Sequence, residues 1–403
     1  MRERGRSKRV RLFAFAAMLG TAALVSVVLA GATNASEAAK AKAGAGKPGG
    51  LVAQAKREAL AASLWPKTWK GPTTPTKAQP GKKVVVISCS QATACAQEVD
   101  GVVEGGKAIG WDMQVVDGKG DPSVYSASIR NAVTGGADGI VLASINVGLV
   151  TDALRFAKDH NVPVINNASI TAKEAGIDPS LVAGDNPDPN AWRGRQTANW
   201  MIWNSNGKAG VFMFRTNDAG LESRDRATVA RLKQCKGCKV LGQSNAGFDI
   251  TTTPKMAQEI NSILDRFGNK VKYIRTPYSA ADAFSVPALQ ARGRSDVQLI
   301  SDSPSALQMK QCYQGRNIGA VFGDDLNWVG WEAVDMLNRV FEHPGVKPPA
   351  ENTVWVMLLS PAKKYAPPGT KLPKASTCPA SGNFSENNPV DFRAKYKQLW
   401  GVG

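Results

Sequence analysis

An α/β protein of two doubly wound lobes, each built on a parallel sheet, is the fold class that the sequence predicts, and three observations predict it. Short β-branched runs begin near Val84 (VVVIS), Asp112 (DMQVV), Ile140 (IVLAS) and Val162 (VPVIN), 22 to 28 residues apart, the length of a βα unit. The stretches between them read as amphipathic helices: Leu149, Val150, Ala153, Leu154 and Ala157 share one face before Asn161 ends the pattern. A second series repeats the first, with AGVFMF (209–214), KVLGQ (239–243), VKYIR (271–275), VQLIS (297–301) and GAVFG (319–323). Its clearest helix puts Met256, Ile260, Ile263, Leu264 and Phe267 on one side.

Upstream of these units the chain has a different character. It opens with MRERGRSKRVR, six basic residues against one acidic, followed by the uncharged run Leu12 to Gly31 and small residues around Ala30 and Ala32. This is the pattern of an export signal over residues 1–32. The apolar run also reaches bilayer-spanning length, so an uncleaved N-terminal anchor stays open beside a cleaved leader. Ala32, where a lipoprotein signal would have cysteine, excludes lipid anchoring there. Residues 33–81 are rich in Ala, Lys, Gly and Pro and are expected to form a flexible tether. Within them, LVAQAKREALAASLW has the composition of a short helix able to dock on the body.

Export decides how six cysteines are read. Three disulfides are expected, Cys89 with Cys95, Cys235 with Cys238 and Cys312 with Cys378, although six cysteines allow 15 connectivities. Cys235-Lys-Gly-Cys238 follows a helical pattern and precedes a strand, the reverse of a thioredoxin-like redox motif, so it reads as a staple. A four-cysteine zinc site would need a second Cys-x-x-Cys or paired histidines. Neither is present.

The formal charge of the 403-residue chain is +17, of which the first eleven residues supply +5; the remainder is dispersed, with no basic stripe interleaved with aromatics. A solvated basic surface is expected, not a nucleic-acid interface. The only histidines are His160 and His343, too few for a Ser-His-Asp triad or a histidine metal site, and no Walker or Gly-x-Gly-x-x-Gly loop follows a first strand. No EF-hand pattern occurs, and neither a metal nor a cofactor is expected. In doubly wound sheets ligands bind beyond the carboxyl ends of the strands. Those positions hold Ser88 to Gln91, Ser144 to Asn146, Asn166 to Ser169, Arg215 to Asp218, Asp302, Ser303, Asp324 and Asp325. They are polar and charged, without an evident nucleophile and base. Adjacent strand-end residues point in opposite directions, so Asp324 and Asp325 read as one ligand contact and one cap before an acid–base pair.

From about Lys82 to Ser360 the segments GWDMQVVDGKGDPSVYSASIRNAVTGGADGIVLASIN, VPVINNAS, LVAGDN, SRDRATVARL, DAFSVPALQA, VQLISDSPS and GDDLNWVGWEAVDML occur in an order that resembles type I periplasmic solute-binding proteins of ABC importers, of the ribose-binding kind. The resemblance implies a hinge of three crossings, near Asn167, Asp324 and Asn352. The first lobe would then be 82–168 with 325–351, and the second 169–324 with 352–403. It places Asn146, Arg224, Phe248, Asp282 and Asp302 at ligand contacts, and puts Asp324 at a hinge position where an amide is usual. Ser144 and Asn167 stand at the strand ends of the same cleft. The first loop lacks the family's aromatic pair; the Cys89–Cys95 staple would hold it instead and turn Ser90 and Gln91 to the ligand.

The resemblance therefore implies a monomeric, non-enzymatic protein, periplasmic or extracellular, that carries a small polar ligand to an ABC permease. A sugar or polyol is the expected ligand, with amino-acid-like or nucleoside-like molecules left open. A receptor subunit that presents its ligand to a chemotaxis or kinase partner is the alternative in the same fold. An exported enzyme using Asp302 and Asp324 is the alternative of another class.

Overall fold

The computed structural model describes residues 50–403 apart from 91, 92, 217, 352, 353 and 368. The expected leader and the first part of the tether, together with Gln91 and the crossing residue Asn352, thus lie outside the described residues. Two sheets organise the rest. The first contains β1 (Lys83–Ser88), β2 (Asp112–Asp117), β3 (Gly139–Ala143), β4 (Val164–Ser169) and β5 (Gly184–Pro187), in the order β2-β1-β3-β4-β5, all parallel. The second contains β6 (Gly210–Arg215), β7 (Lys239–Asn245), β8 (Tyr273–Arg275), β9 (Gln298–Asp302), β10 (Ile318–Asp324) and β11 (Trp355–Leu359), in the order β11-β10-β9-β8-β6-β7. All its pairs are parallel except β10 with β11.

The strands follow from their composition. Val84, Val85, Val86 and Ile87 of β1 are buried on both faces, as a central parallel strand between helical layers requires. Each such side chain stabilises the fold by roughly 1.5–3 kcal/mol relative to exposure. The connecting helices start where short polar side chains cap them. Asp121 accepts from the Ser123 amide, with Pro122 at the first helical position, and Asp325 accepts from the Trp328 amide at 3.3 Å.

The two doubly wound sheets agree with the sequence reading, but the lobe boundaries differ from it at two places. β5 pairs with β4, so the chain stays in the first sheet to Pro187 instead of leaving near residue 168. The polar Gly-Asp-Asn-Pro segment shows none of the apolar signal of the other strands. The C-terminal helix Phe392–Trp400, assigned by sequence to the second lobe, buries Phe392, Tyr396 and Trp400 in the core of the first lobe with Val84, Trp328 and Trp331.

The tether also departs from expectation between residues 50 and 81, where it is packed, not flexible. Helix Gly50–Ala62 buries Ala55, Ala59 and Ala62 in a core shared with Trp200, Trp203 and Met357 of the second lobe. Glu58 on that helix receives Arg195 at 2.9 and 3.0 Å and Asn199 at 2.6 Å. Trp65 then meets Phe384 edge-on at 5.5 Å. Trp69 stacks face to face on Trp328 of the first-lobe helix Leu326–Glu342, 5.3 Å between centroids and 3° between planes. Further on, Glu342 accepts from Thr76 and from the Lys77 amide. Residues 50–81 therefore form a strap from one lobe to the other.

Trp69→Ala removes a stacked ring and its edge contact with Tyr396. The expected loss is about 2–3 kcal/mol, read as a lower denaturant midpoint at unchanged slope; an unmoved midpoint would show that the strap adds nothing to stability.

The cysteines stand in the expected pairs, with Cα separations of 6.0 Å for Cys89 and Cys95, 5.3 Å for Cys235 and Cys238, and 5.9 Å for Cys312 and Cys378. All three separations are in the range a disulfide bridges. Thiol labelling of the denatured, unreduced protein is expected to find no free thiol. Joint labelling of Cys235 and Cys238 would instead indicate a redox pair.

Candidate functional site: a polar cleft between the strand ends

The carboxyl ends of β8 and β9 bring Arg275 and Asp302 together, and two helices add arginines to them. Arg193 comes from helix Asn190–Asn204, and Arg224 from helix Ala219–Lys233, which Asp218 caps by accepting from the Leu221 amide. All three guanidiniums converge on one carboxylate: Arg193 at 2.7 Å, Arg224 at 2.6 Å and Arg275 at 3.1 Å from Asp302, every side chain at most 2 % exposed. Arg193 also reaches Asp188 at 3.0 Å, and Arg275 lies 3.1 Å from Asp225. Burial raises the pKa of Asp302, but Arg224, Arg193 and Arg275 outweigh it and hold the carboxyl at about 2.

On the first-lobe side the hub is Glu98. It accepts from Ser144 Oγ at 2.5 Å and from Asn167 Nδ2 at 2.7 Å, while Asn167 accepts from Asn186 at 2.9 Å and Asn186 donates to Glu332 at 2.8 Å. Burial pushes the Glu98 carboxyl up to about 8 against the lowering by Ser144 and Asn167. The backbone is strained in the same place. Ser144, Ala168 and Ser303, each at a strand end, have φ of 55°, 51° and 56° without being glycine.

Several buried polar atoms at these ends have no hydrogen-bond partner among the described residues: Nε of Arg193, Arg215 and Arg224, Oγ of Ser244, Oδ1 of Asn166 and Asn186, and both carboxylate oxygens of Asp324. Orphaned donors and acceptors of this kind are expensive in a closed interior. A small molecule rich in hydroxyls would satisfy them. A groove of about 470 Å³ opens at the opposite end of the first sheet, beside Lys82, Asp138, Lys158 and Phe341, and carries none of these orphaned groups.

The expected site residues divide. Arg224, Asp302, Ser144, Asn167 and Asp324 lie at the strand ends, in the two networks or beside them. Asn146 is a cap whose oxygen accepts from the Gly148 amide at 3.0 Å. Asp282 is buried beneath the site, where it accepts from Thr276 at 2.7 Å, Ser301 at 2.6 Å and Gln308, so its oxygens hold its own chain together. Ser90 is half-buried on the first loop, its carbonyl accepting from Ser88 Oγ at 2.7 Å. Gln91 and the Phe248 side chain lie outside the described residues. Of the pair Asp324–Asp325, Asp325 caps a helix, while neither carboxylate oxygen of buried Asp324 is hydrogen-bonded among the described residues. Glu98, Arg193, Asn186 and Arg275 join the site without having been singled out. Arg275 was within reach, since it ends an evident strand; Glu98 and Arg193 sit on helices, where nothing in the sequence distinguishes them.

The buried carboxyls give the ligand-free protein a defined pH response. Glu98 binds its proton more tightly when folded, so its contribution is full below pH 4.5 and is lost as pH rises towards about 8. Asp302 acts oppositely: its contribution is present above pH 3.8 and is lost as pH falls towards about 2. Thermal stability is expected to decline from pH 5 to pH 8, and Glu98→Gln to flatten that decline. Parallel curves for the parent and the variant would remove Glu98 as the cause.

Residues 84–344 match the family model described as periplasmic binding protein domain. A putative rhizopine-binding protein of Rhizobium meliloti is 23 % identical over 146 residues, 35 % of this chain and 47 % of that protein, so the chain spans about half of that relative's length. Among solved structures, an ABC sugar transporter subunit from Rhodobacter sphaeroides aligns with a TM-score of 0.60 at 17 % identity, covering 70 % of this chain and 99 % of the other. An ABC transporter solute-binding protein from Agrobacterium vitis with bound allitol aligns with a TM-score of 0.60 at 16 % identity, over 69 % of this chain and 95 % of the other. With its two parallel sheets, its polar strand ends and a family match over more than half its length, this chain belongs to the periplasmic binding protein domain family.

Proposed function

We propose that this is an exported, non-enzymatic solute-binding protein that closes its two lobes over one sugar or polyol and delivers it, as a monomer, to an ABC permease. The observation that carries the reading is the set of buried, orphaned polar atoms at the facing strand ends. A polyol presents donors and acceptors in fixed directions, and taking it out of water is tolerable only where each finds a partner. Arg224 Nε, Arg193 Nε and the carboxamide oxygens of Asn166 and Asn186 meet that demand from both sheets. Trp192, 39 % exposed and edge-on to Phe322 at 5.6 Å, offers an apolar ring of the kind that covers the C–H face of a sugar.

Closure follows from differential affinity. Contacts from both lobes to one ligand exist only in the closed state, so ligand shifts the hinge equilibrium towards closure, and the permease reads the closed form. The names of the similar transporter subunits support the importer role, and the paired cysteines and basic, apolar leader support export.

Native mass spectrometry of protein purified without denaturation is expected to find a copurified polyol, and calorimetry then to measure its affinity. Arg224→Ala leaves Asp302 paired with Arg193 and Arg275, so folding is retained while affinity falls at least ~10-fold, one charged hydrogen bond being worth about 1.5–3 kcal/mol. Unchanged affinity would remove Arg224 from the ligand site. Turnover of the bound molecule would replace transport by catalysis.

A further inference from the structure

The segment 50–81 ties together two helices that start at the hinge. Helix Asn190–Asn204 begins directly after the crossing at residues 188–189, and helix Leu326–Glu342 directly after the crossing at 325, so a change in lobe angle is a change in the angle between these helices. The strap grips each of them. On helix Asn190–Asn204, Arg195 and Asn199 donate to Glu58, and Lys56 lies over the Trp203 ring at 6.0 Å. On helix Leu326–Glu342, Trp328 stacks on Trp69 and Arg339 donates to the Thr74 carbonyl at 2.7 Å. Asn338 accepts there from the Gln79 amide at 2.9 Å and donates to the Lys77 carbonyl at 3.1 Å. The strap's grip and the cleft are served by different sides of one helix: Arg193, paired with Asp302, and Arg195, paired with Glu58, are two residues apart and do not face the same way.

The chain between the two grips is short. Trp65 is buried in the second-lobe core with Phe212, Phe214 and Phe384, whereas Trp69 lies on the first lobe, and only Pro66, Lys67 and Thr68 stand between them. Four Cα steps reach about 14 Å at full extension, and the fixed φ of Pro66 removes part of the remaining freedom. A lobe rotation that carries the two rings further apart than this must pull one of them from its site. We propose that residues 50–81 are a tether that restrains lobe opening, so that the cleft opens wide only when Trp69 leaves Trp328. The restraint needs two lobes that move, and not a particular ligand. Across the cleft the lobes touch where Ile170, beyond β4, lies 3.2 Å from the position a Cβ would take at Gly220 of helix Ala219–Lys233, and opening breaks that contact whatever the cleft holds.

The test places nitroxide labels on the two rims of the cleft, through Leu149→Cys in the turn Val147–Val150 of the first lobe and Leu307→Cys on helix Ala306–Gln314 of the second, side chains 52 % and 55 % exposed. Pulsed electron resonance then reads their separation in the intact protein, dialysed free of small molecules. Three strap variants are compared with the labelled parent: Trp69→Ala, a flexible Gly/Ser insertion of about six residues between Lys67 and Thr68, and the two together. The insertion keeps every contact and lengthens only the tether. The parent is expected to give one short distance, and Trp69→Ala and the insertion each to enlarge the longer-distance population ~10-fold or more. The double variant is expected to be no more open than either, since both changes release the same restraint. If Trp69→Ala does not fold, the insertion still reads the tether alone. Unmoved distances in the insertion variant, additive opening in the double variant, or a parent already spread over both distances overturns the tether and leaves the strap as packing. None of these outcomes touches the solute-binding reading, which calorimetry tests separately.

Discussion

The rest of the site depends on the burial of Asp302 under three guanidiniums. A carboxylate taken out of water needs compensation close at hand, and here it is supplied by Arg275 at a neighbouring strand end and by Arg193 and Arg224 on two separate helices. The pairings fix how those helices approach the second sheet. Gly194 and Thr228 mark the contact. A Cβ at Gly194 would lie 2.0 Å from the Arg224 carbonyl, and Thr228 Oγ1 donates to both the Gly194 and Arg224 carbonyls. Backbones this close hold the two arginines in register, and the Nε of each has no hydrogen-bond partner among the described residues.

The two lobes are joined by more than the hinge of a three-crossing fold. The chain passes between the sheets at residues 188–189, at 325 and after helix Leu326–Glu342, and both ends of the described chain add a further connection. The N-terminal strap runs from second-lobe alanine packing to the Trp69–Trp328 stack. The C-terminal segment leaves β11, where Thr377 bridges Leu359, and ends with Phe392 stacked on Trp328 at 5.4 Å and Trp400 stacked on Trp331 at 5.2 Å. Trp328, three residues beyond the Asp325 cap, is thus clamped between an N-terminal and a C-terminal ring. Aromatic packing of this extent holds the start of helix Leu326–Glu342 rigid, so that Asp324 projects from a fixed point.

Both sheets were legible because nine of the eleven strands carry short β-branched or apolar runs; seven of these are largely buried on both faces, while the edge strands β2 and β7 are exposed or half-buried. β5 did not, because a short polar edge segment owes its place to pairing with β4 and not to its own hydrophobicity. β11 is apolar, but its antiparallel pairing with β10 breaks the βα period by which the others were found. The docked helix was legible from its composition, but the rest of the strap was read as flexible, because isolated tryptophans look like linker until a surface is present for them to cover.

The sequence by itself determined two doubly wound lobes, six cysteines spaced for three bridges, and polar residues at the strand ends, because periodicity and turn chemistry are local properties of the chain. Only the tertiary structure decided which polar groups satisfy one another. Asp282 and Asp302 look equivalent in the sequence, yet one is saturated by Thr276, Ser301 and Gln308 while the other gathers three arginines. Asp324, alike in kind, receives no hydrogen bond among the described residues. Whether a buried carboxylate is a brace or a counter-ion depends on groups from 6 to 109 residues away, and that distance is closed only by folding.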